Sequence, residues 1–213
     1  MKTLILSIIS LAILGVGCKK NHSEEKVDTS TALVIIDVQN DYFAGGNMSL
    51  VGSVEASQKA KQILEYYRQN HLPVIHIKHI ALQAGATFFL PGTNGAEIHP
   101  SVTPKDGEKV ITKHFPNSFR ETELLSYLKS KGITKLVICG MMTDVCVDAT
   151  VRAAMDLGFT NTVIGDACAT RDRELGTETI KAEEVNESFL AGMAALDGLY
   201  AKVLTTEQYL KSK

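Results

Sequence analysis

Four cysteines in 213 residues, with no C-x-x-C pair among them, are too few for a disulfide scaffold and wrongly spaced for a structural zinc site or a thioredoxin-like centre. Charge of one sign is missing too. With 22 basic against 24 acidic side chains the net charge is -2, so the basic footprint of a nucleic-acid binder is absent and nucleic acid is not expected as a partner. No apolar run reaches the ~20 residues that a spanning helix needs. There is no internal repeat and no low-complexity segment. What remains is a chain of one-domain length, 45% hydrophobic, that must fold on an apolar core.

The core begins late in the chain. Met1-Lys2 is a short basic start, Leu4 to Val16 is an apolar run, and Gly15-Val16-Gly17-Cys18 sets small residues before a cysteine. This is the layout of a secretory signal peptide. The cysteine at its boundary resembles a bacterial lipoprotein signal, although Gly15 stands where an aliphatic residue is usual. The resemblance implies removal of residues 1–17, lipidation of Cys18 as the mature N-terminus, and an exported protein anchored at the periplasmic membrane or cell surface through that lipid alone. Simple secretion and an uncleaved anchor are the alternatives. Residues 18–30 are polar and without apolar period, so they read as a flexible tether. The folded domain is expected over residues 31–213.

Thr31 to Asp37 (TALVIID) is a continuous β-branched run ending in an acid, as in a strand buried on both faces of a parallel sheet. Val54 to Gln69 places Ala56, Ala60, Ile63, Leu64 and Tyr67 at helical spacing, and Pro73 to Ile80 returns to strand character. Residues 81–107 carry Gly and Pro with little periodicity, which predicts a long loop of the functional kind. Further strands are expected at 110–112, 135–140, 161–165 and 201–204. Helices are expected at 122–131, 144–157, 179–196 and from 207. The alternation predicts an α/β, three-layer αβα fold with a mostly parallel central sheet and helices on both faces. Ligands then gather at the carboxyl ends of strands.

Three of those ends are chemically loaded. Asp37 follows four apolar residues and needs a partner to offset its desolvation, and Lys113 after the third strand has the same need with opposite sign. Cys146 falls in the first turn of a helix capped by Thr143, where the helix dipole favours a thiolate. Each has a plain alternative: Asp37 as a turn cap, Lys113 at the surface, Cys146 as a small buried hydrophobe. Together they offer a carboxylate base, a cation and a nucleophile to one crevice.

Residues Leu33 to Phe43 (LVIIDVQNDYF), Lys113 to Phe119 (KHFPNSF) and Gly140 to Thr150 (GMMTDVCVDAT) resemble the motifs of the isochorismatase-like cysteine hydrolases, and the likeness runs from about Ala32 to Leu210. The resemblance implies a catalytic triad of Asp37, Lys113 and Cys146. It also implies an oxyanion site from the backbone N–H groups of Met142 and Cys146, a cis peptide between Met141 and Met142, and a homo-oligomer. The implied reaction is cleavage of a C–N bond in a small amide, ureido or carbamoyl compound through a Cys acyl-enzyme. Two alternatives stay open: a vinyl ether hydrolase of the isochorismatase type, which needs no cysteine, and a lipid-tethered binding protein without catalysis. Gln39, Asp41 and Asn117 are expected to anchor turns and loops.

No cofactor is expected. Metal-binding relatives carry Asp-x-His after the second strand, whereas this chain reads Val-Ile-His76-Ile-Lys78-His79, and a lysine beside a metal is unfavourable. His79 is therefore expected to line a loop or pocket. Phe43, Phe88, Phe89, Phe115 and Phe119 are candidate apolar walls for a small neutral substrate. Cys139 and Cys168 are expected in the core.

Overall fold

The computed structural model describes residues 29–213. The expected signal segment, Cys18 and all but the last two residues of the expected tether lie outside the described residues. A six-stranded, all-parallel sheet organises the rest, in the order β3-β2-β1-β4-β5-β8. Its strands are β1 (Thr31–Ile36), β2 (Val74–His79), β3 (Lys109–Lys113), β4 (Lys135–Met141), β5 (Thr160–Ala169) and β8 (Lys202–Leu204). A small antiparallel hairpin, β6 (Arg173–Leu175) and β7 (Glu178–Ile180), stands apart from it. The helices are α1 (Ser53–Gln69), α2 (Leu124–Ser130), α3 (Asp148–Asp156), α4 (Ala182–Met193), the single turn α5 (Ala195–Gly198) and α6 (Thr206–Lys211). The expected three-layer α/β architecture is present. Among the described residues no helix is long and apolar enough to cross a membrane.

The continuous apolar run of β1 is buried at all six positions because the sheet is covered on both faces. Leu33 and Ile35 point into a core with Ile63, Leu64 and Tyr67 of α1 and Tyr209 of α6. Val34 and Ile36 point into a second core with Leu124 and Leu128 of α2, Val151 and Ala154 of α3, and Met193 of α4. Strand order reverses between β1 and β4, so the crevice at their carboxyl ends is a topological switch point. Gly140 permits this close pairing, since a Cβ there would sit 2.0 Å from the Ile36 carbonyl oxygen.

Three elements differ from the sequence reading. Residues 179 and 180 belong to β7, not to a helix, and α4 starts only at Ala182. β5 runs on to Ala169, because a register shift between Ile138 and Gly140 lets it keep pairing with β4 through Cys168 and Ala169. Residues 143–147 form a π-helical turn ahead of α3, and Thr143 does not cap it; its hydroxyl donates to Asn186 Oδ1 of α4 at 2.6 Å.

At the amino end of β3, Glu108 accepts hydrogen bonds from Arg68 Nε at 2.6 Å and Nη2 at 2.8 Å and from Lys105 N at 2.9 Å, and its Oε2 lies 2.8 Å from His76 Nε2. This cluster ties the end of α1 to β2 and β3. Burial pushes the Glu108 carboxyl up, but the bonds from Arg68, Lys105 and His76 outweigh it and hold it down at about 2. The folded value lies below the unfolded one, so Glu108 contributes stability above about pH 4.5 that is lost as the pH falls toward about 2. Glu108→Gln is expected to lower the Tm at neutral pH by roughly 3–6 °C, with the gap from wild type closing through that acid window. Thermal melts of both proteins across pH check it.

Candidate active site

Three strand ends meet at the switch point. Asp37 follows β1 directly, with a left-handed φ of 50° that turns the chain out of the sheet; aspartate tolerates this conformation better than most residues. Lys113 closes β3, in register with His79 at the end of β2. Cys146 lies in the π-helical turn after β4. Lys113 Nζ reaches Asp37 Oδ2 at 2.7 Å, and neither side chain retains any solvent exposure. The same nitrogen lies 3.2 Å from Cys146 Sγ, 3.0 Å from His79 Nδ1 and 3.1 Å from the Phe115 carbonyl oxygen. Its three hydrogens thus face four acceptors.

Asp37 is less well served. Its Oδ2 is in ionic contact with Lys113, though too obliquely for a directed hydrogen bond, and Oδ1 has no donor in a directed bond. A buried carboxylate oxygen without a donor is costly, and the Cys146 thiol is within reach, since one ligand atom each of Asp37, His79 and Cys146 lie within 4.8 Å of one another. Burial pushes the Cys146 thiol well above its ordinary range, the Asp37 carboxylate pushes the same way, and Lys113 only partly opposes them. Burial presses Lys113 down, but Asp37 and Cys146 outweigh it and lift its ammonium above the usual value. The resting cluster therefore sets an ammonium against a neutral thiol. Burial opposes the dipole effect expected from a helix start.

Among the described residues, Asp37, His79 and Cys146 form the one set of three side chains able to hold a metal ion. Lys113 Nζ is packed against all three of them, at 2.7, 3.0 and 3.2 Å. The protein's own ammonium stands at the centre of the set, and its charge opposes a metal there. Nearby, Lys78 pairs with Glu97 and His76 with Glu108.

Cys146 opens onto a cavity of about 340 Å³. Phe88, Phe89, Phe115, Pro116, Met142 and Val145 supply apolar wall, and Tyr42, His79, Gln83 and His114 supply the polar groups. Two expected wall residues are elsewhere. Phe43 stacks on His99 with ring centroids 3.6 Å apart, beside a different surface cleft, because the 3-10 turn Asn40–Tyr42 sends neighbouring residues to opposite sides. Phe119 stacks on Phe159 at 5.9 Å, against the α2–α3 face. Tyr42 takes the place on the cavity wall that the sequence reading gave to Phe43. His114 was also missed; it follows Lys113 directly.

The supporting groups are anchors. Buried Gln39 donates to the carbonyls of His79 and Ala96 and accepts from the His79 N–H, fixing the end of β2. Asp41 accepts from the N–H groups of Asn47 and Phe89, holding the aromatic loop in place, and a Cβ at Gly95 would collide with its carboxylate at 2.2 Å. Asn117 accepts from the Phe119 N–H within its own turn. Asp144 accepts from Thr170 and Arg173, joining the cysteine turn to the residue after β5 and to the hairpin. Met141 and Met142 are joined by a cis peptide, and the Met142 carbonyl accepts from the N–H groups of Val145 and Val147. Cys139, Cys146 and Cys168 are free, buried thiols.

Comparison with known proteins agrees with the α/β fold. The chain is 47% identical over 182 residues to the uncharacterized isochorismatase family protein YddQ of Bacillus subtilis, covering 85% of this chain and 99% of that one. It is 29% identical over 182 residues to a nicotinamidase of Acinetobacter baylyi, covering 69% of this chain and 85% of the relative. The crystal structure of a putative isochorismatase hydrolase from Oleispira antarctica superposes with a TM-score of 0.82 at 42% identity, over 87% of this chain and 98% of that one. With the Isochorismatase domain model matching residues 31–208, the chain belongs to the isochorismatase family of hydrolases.

Proposed function

We propose that the protein is a cysteine amidohydrolase acting on a small, uncharged amide, ureido or carbamoyl compound through a Cys146 acyl-enzyme. One observation carries this reading: the buried Asp37 carboxylate has an unpartnered oxygen next to a neutral thiol, with Lys113 between them. Asp37 takes the thiol proton as Cys146 Sγ attacks the carbonyl carbon, and Lys113 offsets the charge that passes from carboxylate to sulfur and oxygen. The oxyanion is received by the backbone N–H groups of Met142 and Cys146. The C–N bond then breaks, the amine leaves with the proton from Asp37, and a thioester remains. Water, deprotonated by Asp37, cleaves it to the acid and the free thiol. The largely apolar cavity favours an uncharged acyl group, and the nicotinamidase relative is an amide hydrolase by its name. A lipid anchor at Cys18 would hold this domain at a membrane surface on a short polar tether.

Screening small primary amides for ammonia release is expected to find a substrate. Rapid-quench intact mass spectrometry is then expected to show one acyl group on Cys146, and Cys146→Ala to lower turnover by at least about a thousandfold. Vinyl ether hydrolysis that persists in Cys146→Ala, without amide turnover, would favour the isochorismatase-type reaction instead. For the anchor, expression of the full chain is expected to yield membrane-fraction protein with a lipid mass on Cys18. Cys18→Ser is expected to remove both, and a soluble wild-type protein would refute lipidation.

A further inference from the structure

Two of the polar groups lining the otherwise largely apolar cavity are histidine rings, and the acyl-transfer steps above use neither. Their tautomers are assigned by neighbours of opposite kind. A lysine ammonium can only donate, so His79 Nδ1, 3.0 Å from Lys113 Nζ, is an acceptor and the ring hydrogen sits on Nε2. Burial is the main force keeping this ring neutral, down at about 4; Asp37 pulls the other way, and Lys113 and His114 reinforce burial. A carbonyl can only accept, so His114, with Nδ1 2.8 Å from the Ile80 oxygen, carries its hydrogen on Nδ1. In its neutral form His114 then offers Nε2 as an acceptor. The two rings that line the cavity thus hold one donor and one acceptor.

We propose that His79 and His114 recognise the –CO–NH2 end of a primary carboxamide or ureido substrate, His79 Nε2–H donating to the carbonyl oxygen and His114 Nε2 accepting from the NH2 group. The amide oxygen has two lone pairs and the tetrahedral oxyanion three, so the contact with His79 leaves one place for a backbone donor in the bound amide and two once the oxyanion forms. An ester or ketone of the same shape has no hydrogen to offer and leaves His114 Nε2 unpaired in an apolar surrounding, which costs binding. Specificity for primary amides thus comes from a group that takes no proton in the reaction. His79 also accepts from Lys113, so it couples the recognition edge to the catalytic cluster.

The inference rests on the amidohydrolase reading, but its test does not use turnover. The Cys146→Ala protein is titrated with benzamide and with acetophenone, in which a methyl group replaces the NH2. Benzamide is expected to bind about 5–10-fold tighter. His114→Leu in the same background is expected to bring the ratio to about one while changing acetophenone affinity by less than about twofold, and His114→Gln, whose amide oxygen can accept, to restore part of the preference. Equal binding of the two ligands, no binding of either, or an undiminished ratio in His114→Leu would overturn the proposal. The comparison of ligands alone decides the matter if His114→Leu does not fold. An acyl-enzyme that fails to form would refute the amidohydrolase reading and leave this binding result standing.

Discussion

The ion pair of Asp37 and Lys113 is the constraint on which the rest of the site depends. Two opposite charges 2.7 Å apart, both wholly removed from solvent, carry a desolvation cost that their attraction alone need not recover. The surroundings supply what is missing. Lys113 gains His79 Nδ1, the Phe115 carbonyl and Cys146 Sγ as further acceptors, and Gln39 holds the end of β2 so that His79 stays in reach. Removing either charge would leave the other buried and unpaired, a loss of about 3–5 kcal/mol in comparable sites. In the proposed reaction the pair acts on a third member, Cys146.

Metal sites and this cluster solve the same problem differently. A carboxylate, an imidazole and a sulfur converge on one point, and the point is held by an ammonium. The ammonium balances charge as a metal would, without offering a Lewis-acid vacancy. In the proposed reaction the nucleophile is activated by proton transfer among Asp37, Lys113 and Cys146. Burial favours the protonated thiol at rest, so in the proposed reaction the unpartnered oxygen of Asp37 acts only when a carbonyl arrives at the sulfur.

How far the sequence reached depends on burial. The run from Thr31 to Ile36 was legible because a doubly covered parallel strand must be apolar throughout, and the alternation of such runs with helical periods implied the sheet. The hairpin of β6 and β7 was not, because its short strands are largely exposed and carry no apolar alternation. The end of β5 was hidden by Gly165-Asp166, which reads as a stop, while the register shift that carries the strand onward lies in its neighbour β4. At the site, the motifs named Asp37, Lys113 and Cys146, and their meeting at 2.7 and 3.2 Å is a property of strand order that no local pattern encodes. Phe43 and Tyr42 are adjacent in a polar loop, so only the turn geometry could say which faced the cavity.

The proposed reaction turns on where the proton lies before substrate binds. If Asp37 is a carboxylate that suppresses thiolate formation, then Asp37→Asn removes that suppression and leaves Lys113 to stabilise the sulfur anion. Iodoacetamide modification of Cys146 near neutral pH, followed by peptide mass spectrometry, is expected to be about tenfold or more faster in Asp37→Asn than in the wild type, while amide turnover falls at least about a hundredfold. Slower alkylation in step with lost turnover would contradict the account, because Asp37 would then promote the thiolate instead of suppressing it.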